Sequence, residues 1–273
     1  MDLNTIAEIV RPTERSEIPI WRAGDAFLAG GTWLFSEPQP RLRRLIDLPG
    51  MGAVPLRSTP SGLEIAATCT ITQLENMGLP ASWPVKPLIE QCCNAFLASF
   101  KIKNVATVGG NIVMSLPAGP MISLCVALDG ELIIWTPDGG KRRVKVIDFV
   151  TGNNRNTLGP GEIVDTIHLP AAALTRRTAF RQISLTNFGR SGALVIGTLD
   201  PGGAFALTVT ASTPKPHQFR FDTLPDADEL IARIDSEIAG NWFDDIHGLP
   251  AWRREMTLHF AREIVAELGG GAR

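Results

Sequence analysis

Two pairs of adjacent glycines are the residues of this chain best suited to hold a charged ligand. Gly30–Gly31–Thr32 interrupts the apolar run "FLAGGTWLF", and Gly109–Gly110–Asn111 interrupts "VATVGGNIVM". A residue without a Cβ lets backbone N–H groups approach a ligand's phosphates closely. Each N–H bonded to a charged oxygen is worth roughly 1.5–3 kcal/mol, so donors from two strand-to-turn loops offset much of the desolvation of one diphosphate. Thr32, Thr107 and Asn111 add side-chain donors. Taken singly, each pair also reads as a bulge or a tight turn. Neither fits G-x-G-x-x-G or the Walker pattern, which argues against a Rossmann or P-loop site.

The other reactive residue types form no pattern. Cys69, Cys92, Cys93 and Cys125 lack C-x-x-C spacing and histidine partners at metal-binding intervals, so no metal or iron–sulfur site is expected in this chain. Vicinal Cys92 and Cys93 read either as a redox pair or as small hydrophobes in a helix. None of His168, His217, His247 and His259 falls beside a serine or cysteine in a catalytic arrangement, and no catalytic side chain is assigned.

The elements that must position the glycines read as α+β. A short helix near Leu3 to Val10, a strand through "DAFLAGG" and a strand through "RRLIDL" suggest a first α/β unit, residues 1–52. A second, 53–170, is built from the strand "GLEIAATCT", a helix capped by Thr70 and Gln73, helices in "PVKPLIEQCCNAFLASF" and "PMISLCVALDG", and the strands "ELIIWT", "KRRVKVIDF" and "GEIVDTIHLP". The third, 171–273, has β-rich runs "TAFRQISLT", "SGALVIGTL" and "FALTVTAST", the last two joined by the hairpin signal "DPGG". Two helices follow, the second with Trp252, Met256, Phe260 or His259, Ile264 and Leu268 on one stripe.

With 273 residues, two or three packed units are the natural expectation. Hydrophobic residues at 44% leave room for a full core, and a net charge of -2 with both signs interspersed disfavours nucleic acid as a partner. The start lacks a secretory layout and no run is long enough to span a bilayer, so a cytoplasmic location is expected.

The strings "AGGTWLF", "LIDLPGM", "IKNVATVGGNIVMSLPAG", "ALDGELIIW", "DFVTGNNRNTLGPGEIVDTIHLP" and "FRQISL" occur in order over nearly the whole chain. They resemble the FAD-binding medium subunit of molybdenum hydroxylases, the group containing xanthine dehydrogenase and aerobic carbon monoxide dehydrogenase. The resemblance implies an FAD-binding fold of vanillyl-alcohol-oxidase type, two α/β subdomains, followed by an antiparallel sheet with helices. It implies electron transfer from iron–sulfur clusters of a small subunit, after substrate oxidation at a molybdopterin in a large subunit, to NAD, oxygen or another acceptor. A dimer of heterotrimers is the implied assembly.

Carried over by position, Leu28, Ala29, Gly30, Gly31, Thr32, Trp33 and Leu34 resemble a first pyrophosphate loop, and Ala98, Thr107, Gly109, Gly110 and Asn111 a second. Ile163 and Val164 match apolar FAD contacts. Arg181 falls where relatives carry a basic residue near the flavin ring, its alternative being a solvated strand residue. Three departures stand out. Trp33 replaces a commonly small or acidic residue, Pro120 replaces an Asp that often contacts the FAD ribose, and the chain contains no tyrosine to cover the flavin. Two other roles stay open: an assembly subunit with weak FAD binding, and a stand-alone flavin oxidase.

Overall fold

The computed structural model describes residues 3–270. Strands β1 (Glu8–Val10), β2 (Asp25–Leu28) and β3 (Arg44–Asp47) form a parallel sheet in the order β1-β3-β2. The helix expected over Leu3 to Val10 is therefore a turn and a strand. Ile9 and Val10 are β-branched and stiff, and pairing along β3 outweighs a helix too short to persist alone. Within this sheet Arg44 of β3 donates to both oxygens of Asp25, its neighbour on β2, at 2.9 and 2.6 Å, and both side chains are buried. That hydrogen bonding, opposed by burial, holds the Asp25 carboxyl below the usual range.

The next stretch contributes β4 (Leu56–Thr59), β5 (Gly62–Ala66), α1 (Ile71–Glu75), α2 (Lys86–Ala95), α3 (Phe100–Lys103), α4 (Val108–Met114), α5 (Pro120–Ala127), β6 (Glu131–Trp135) and β7 (Lys141–Lys145). It closes with α6 (Val146–Phe149), a two-stranded ribbon of β8 (Val150–Gly152) and β9 (Arg155–Asn156), and β10 (Ile163–Pro170). Five of these strands form an antiparallel sheet, β4-β5-β10-β6-β7. The capping box of α1 is present: Gln73 N–H donates to Thr70 Oγ1, and Thr70 N–H to the Gln73 side chain. The strand read through "KRRVKVIDF" stops at Lys145, where Val146 and Phe149 turn into the core as α6.

All eight residues of α5 are buried. A helix apolar on every side belongs between layers, and α5 lies between the five-stranded sheet's helices and the last sheet. The four cysteines are buried too. Burial pushes the thiols of Cys69, Cys93 and Cys125 up to about 12, which suits packing rather than redox work.

After α7 (Ala171–Leu174) come β11 (Arg177–Ile183), β12 (Ala193–Leu199), β13 (Phe205–Thr210) and β14 (His217–Phe221), an antiparallel sheet in sequence order. Helices α8 (Ala227–Ile238) and α9 (Pro250–Gly269) follow. The hairpin read at "DPGG" joins β12 to β13, with Gly203 N–H donating to the Asp200 carbonyl at 2.9 Å. β12 and β13 are buried on both faces because α5 covers one side of the sheet and the layer of α8 and α9 the other. On α9, Phe260, Ile264 and Leu268 pack inward as the stripe requires, and Arg253 and Thr257 are buried beside them.

Candidate functional site

The first glycine loop begins where β2 ends. Gly31 adopts φ +68°, a left-handed conformation, and a Cβ there would stand 2.5 Å from the Phe35 ring. A Cβ on Gly30 would stand 1.8 Å from the carbonyl oxygen of Val105. Bare backbone at Gly30 therefore lets the first loop touch the segment leading into α4. The N–H groups of Gly30, Gly31, Thr32, Trp33 and Leu34 have no acceptor among the described residues. Consecutive open amides of this kind form an anion-binding concavity.

The second pair is not at a strand end. Gly109 and Gly110 lie in the first turn of α4, with Thr107 as N-cap, which corrects the strand-to-turn reading. Thr107 and Thr70 make only an isolated bridge, and the next residues turn helical once Thr107 Oγ1 accepts the Gly110 N–H at 3.0 Å. The neighbouring donors are also engaged: Val108 N–H to Cys69, Gly109 N–H to Ala67 and Asn111 N–H to Thr107, all on carbonyls. Gly109 is a packing glycine, since a Cβ there would stand 2.7 Å from both the Cα and the carbonyl oxygen of Ala67. Ala67 is itself held by the carbonyl of Asp165, which the irregularity of β10 between Val164 and Thr166 turns toward it.

Between the loops lies a cleft of about 580 Å³, within the range of small-molecule and cofactor sites. Leu28, Ala29, Gly30, Gly31, Thr32, Trp33, Leu34, Thr107, Gly110 and Asn111 all line it, so the structure brings these expected residues together. Met121 N–H donates to Asn111 Oδ1 at 3.1 Å, which ties α4 to the start of α5 and leaves the Asn111 amide nitrogen without a partner among the described residues. Pro120 is the first residue of α5 and lines the cleft without a side-chain donor. Aliphatic and aromatic side chains, among them Phe96, Leu97, Ile102, Val113 and Met114, complete the walls.

The other expected residues lie elsewhere. Gly109 is buried against Ala67, and Ala98 follows the lining residue Leu97 without reaching the cleft. Ile163 and Val164 are buried in β10, paired with Trp135 and Ile134 of β6. Arg181 on β11 turns to α9, where it pairs with Glu263 at 2.6 Å and Glu267 at 2.8 Å. The cleft is instead closed by Phe188, Arg190 and Ser191 from the loop between β11 and β12. No spacing in the sequence marks these residues; the strand read through "TAFRQISLT" ends at Ile183 and frees the loop. Behind it, buried Arg253 donates to the carbonyls of Gly192 and Gly248, at 2.9 Å each, to that of Ala211, and pairs with Asp245.

The donor set fits FAD. Open amides suit a diphosphate, the apolar walls suit ring systems, and a Cβ at Gly30 or Gly31 would collide with Val105 or Phe35 and displace the loop that carries those amides. Among the described residues no three His, Cys, Asp or Glu side chains gather as metal ligands, and no helix is long and apolar enough to cross a membrane.

The chain is similar to proteins of known role. It is 28% identical over 166 residues to the nicotinate dehydrogenase FAD-subunit of Eubacterium barkeri, covering 58% of this chain and 55% of that protein. It is 25% identical over 115 residues to xanthine dehydrogenase of Blastobotrys adeninivorans, 40% of this chain and 8% of that protein. The match thus spans about half the first relative's length and a small part of the second's. In fold, the whole chain superposes on a chain of reconstituted CO dehydrogenase from Oligotropha carboxidovorans with a TM-score of 0.84 at 20% identity, covering 100% of both. A chain of quinoline 2-oxidoreductase from Pseudomonas putida 86 gives 0.81 at 18%, covering 100% of this chain and 99% of that one. Residues 5–172 match the family described as the FAD binding domain in molybdopterin dehydrogenase. The open amides and all of the cleft's lining but Phe188, Arg190 and Ser191 fall inside that matched span, and the chain belongs to this family.

Proposed function

We propose that this chain is the FAD-binding electron-transfer subunit of a molybdopterin-dependent hydroxylase. In this reading a small subunit delivers electrons from its iron–sulfur clusters, a large subunit oxidises substrate at a molybdopterin, and NAD, oxygen or another acceptor takes the electrons away. The observation that carries the reading is the run of open amides from Gly30 to Leu34 at the edge of an apolar cleft. Bound FAD supplies the redox chemistry, accepting electrons singly and giving them up as a pair.

The chain's own residues bind, orient and shield. The amides of Gly30, Gly31 and Thr32 hold the diphosphate, with the Thr107 hydroxyl and the Asn111 amide as side-chain donors. Trp33 and the aliphatic walls exclude water from the ring systems and position them by shape. No side chain is required as a nucleophile or a proton carrier. The three units, 1–52, 53–170 and 171–273, correspond to the two halves of a vanillyl-alcohol-oxidase-type FAD fold and a third unit that closes the cleft. A cytoplasmic dimer of heterotrimers is the assembly that goes with this role.

The full chain titrated with FAD should quench flavin fluorescence to a one-to-one endpoint and acquire a yellow spectrum. Co-purification should bring down two further chains, with molybdenum and iron in the complex. An assembly role with weak FAD occupancy is the competing reading, favoured by Pro120, which offers the cleft no side-chain hydrogen bond. A colourless chain that releases no heat on addition of FAD would decide for it.

A further inference from the structure

Among the described residues, Arg190 is the only charged one lining the cleft. It is exposed, in a loop whose Phe188 is 91% exposed at the cleft mouth. The nearby arginines Arg181 and Arg253 are both paired with carboxylates, whereas Arg190 has no partner among the described residues.

Its place in the cleft is set by α4. Gly30 packs on Val105, just before the N-terminal end of that helix. Arg190 and Ser191 lead into Gly192, whose carbonyl shares the Arg253 guanidinium with the carbonyl of Ala211. Ala211 N–H in turn donates at 2.8 Å to Pro117, beyond the C-terminal end of α4. Seven helical residues rise about 10 Å. Gly30 thus borders the N-terminal side of α4, while the segment that carries Arg190 runs into Gly192, which is tied to residues beyond the helix's C-terminal end.

A guanidinium has donors only and keeps its charge at every working pH, so in an apolar cleft it favours negative charge placed beside it. In the functional reading above the diphosphate belongs to the open amides of the first glycine loop. The remaining part of FAD whose charge changes is the flavin ring: taking up two electrons and one proton turns a neutral ring into an anion, with the charge on its pyrimidine edge. This step rests on the FAD reading above. We propose that Arg190 faces that edge and stabilises the reduced over the oxidised cofactor, so that the loop before β12 sets the flavin potential while the first glycine loop sets the affinity.

The test uses the full chain reconstituted with FAD, as wild type, Arg190→Gln and Arg190→Lys. The flavin potential is read by dye-equilibrated reduction, and binding of oxidised FAD and of ADP by calorimetry. Arg190→Gln should lose roughly tenfold in preference for the reduced form, a fall of about 30 mV for a two-electron couple. Arg190→Lys should keep most of that preference, and affinities for ADP and oxidised FAD should hold in both variants. An unchanged potential in Arg190→Gln overturns the proposal. So does a tenfold loss of ADP affinity, which would assign Arg190 to the diphosphate. A wild-type chain that binds neither FAD nor ADP overturns the functional reading and this inference with it; one that binds both isolates the failure to Arg190.

Discussion

The loop after β2 and the first turn of α4 flank the same cleft, yet their backbone donors are in opposite states. From Gly30 to Leu34 the amides are open; from Val108 to Asn111 every amide is already bonded inside the protein. An N–H engaged by a carbonyl has little left for a phosphate, since a new bond would first cost the old one. The same residue pair thus serves two ends. In the first loop Gly30 packs on Val105 beside donors that stay open, and in the helix Gly109 lets α4 sit against Ala67 with its own donor engaged. A helix N-terminus beside open amides does not share their capacity for an anion once its own donors are capped from within.

The contrast can be broken by substitution, and the largest effect falls at the far end of β2, the strand that carries the open loop. Asp25→Ala strands the Arg44 guanidinium in a buried position, and should cost about 3–5 kcal/mol in chemical unfolding. The same pair has a pH signature. Because the folded-state pKa of Asp25 is depressed, its stabilisation is complete above the unfolded value of about 3.9 and is lost as pH falls through the folded value. Acid unfolding followed below about pH 4 should therefore be less steep in Asp25→Asn than in wild type.

Gly30→Ala should come next, because the loop must leave the Val105 carbonyl to make room. Losing roughly two charged hydrogen bonds, about 3 kcal/mol, weakens FAD binding about a hundredfold in a fluorescence titration. Gly109→Ala sharpens the comparison. Crowding against the Ala67 backbone should cost about 1–3 kcal/mol of stability, several degrees in thermal melting, with near-wild-type FAD affinity in the folded protein. Equal losses of FAD affinity in Gly30→Ala and Gly109→Ala would erase the distinction between the loops. Thr107→Ala should give the smallest effect, about 1 kcal/mol of stability from the lost N-cap, measured by denaturant unfolding.

Local signals read well where the physics is local. The capping box of α1 depends on residues three apart, the "DPGG" hairpin on residues in contact, and the α9 stripe on helical spacing, and all three are present. The first glycine loop belongs with them, because a left-handed Gly31 after an apolar strand is set by its own backbone and by Phe35 four residues on. The misread features have distant causes. Glu8–Val10 became a strand through pairing with β3, more than thirty positions later. The turn at Gly109 and Gly110 is capped locally by Thr107, but the strand end expected there is replaced by packing in which Cys69 and Ala67, some forty positions earlier, take up the N–H groups of Val108 and Gly109.

Arg181 and Arg190 divide along the same line. Both are basic residues near the β11–β12 turn, and nothing in their neighbours distinguishes them. Two carboxylates on α9, about eighty positions further along the chain, take Arg181 away from the cleft, while the loop that starts after Ile183 delivers Arg190 into it.

The sequence by itself determined the α+β class, the two glycine pairs, the absence of a reactive cysteine or histidine pattern, and the ordered strings that match the FAD-binding family. Composition and short-range backbone preference suffice for these. Only the tertiary structure decided which amides stay open, which glycines serve packing, and which arginine reaches the cleft. Each of those outcomes depends on whether a partner far along the chain arrives to satisfy a donor or neutralise a charge, and that is a property of how the sheets and helices meet.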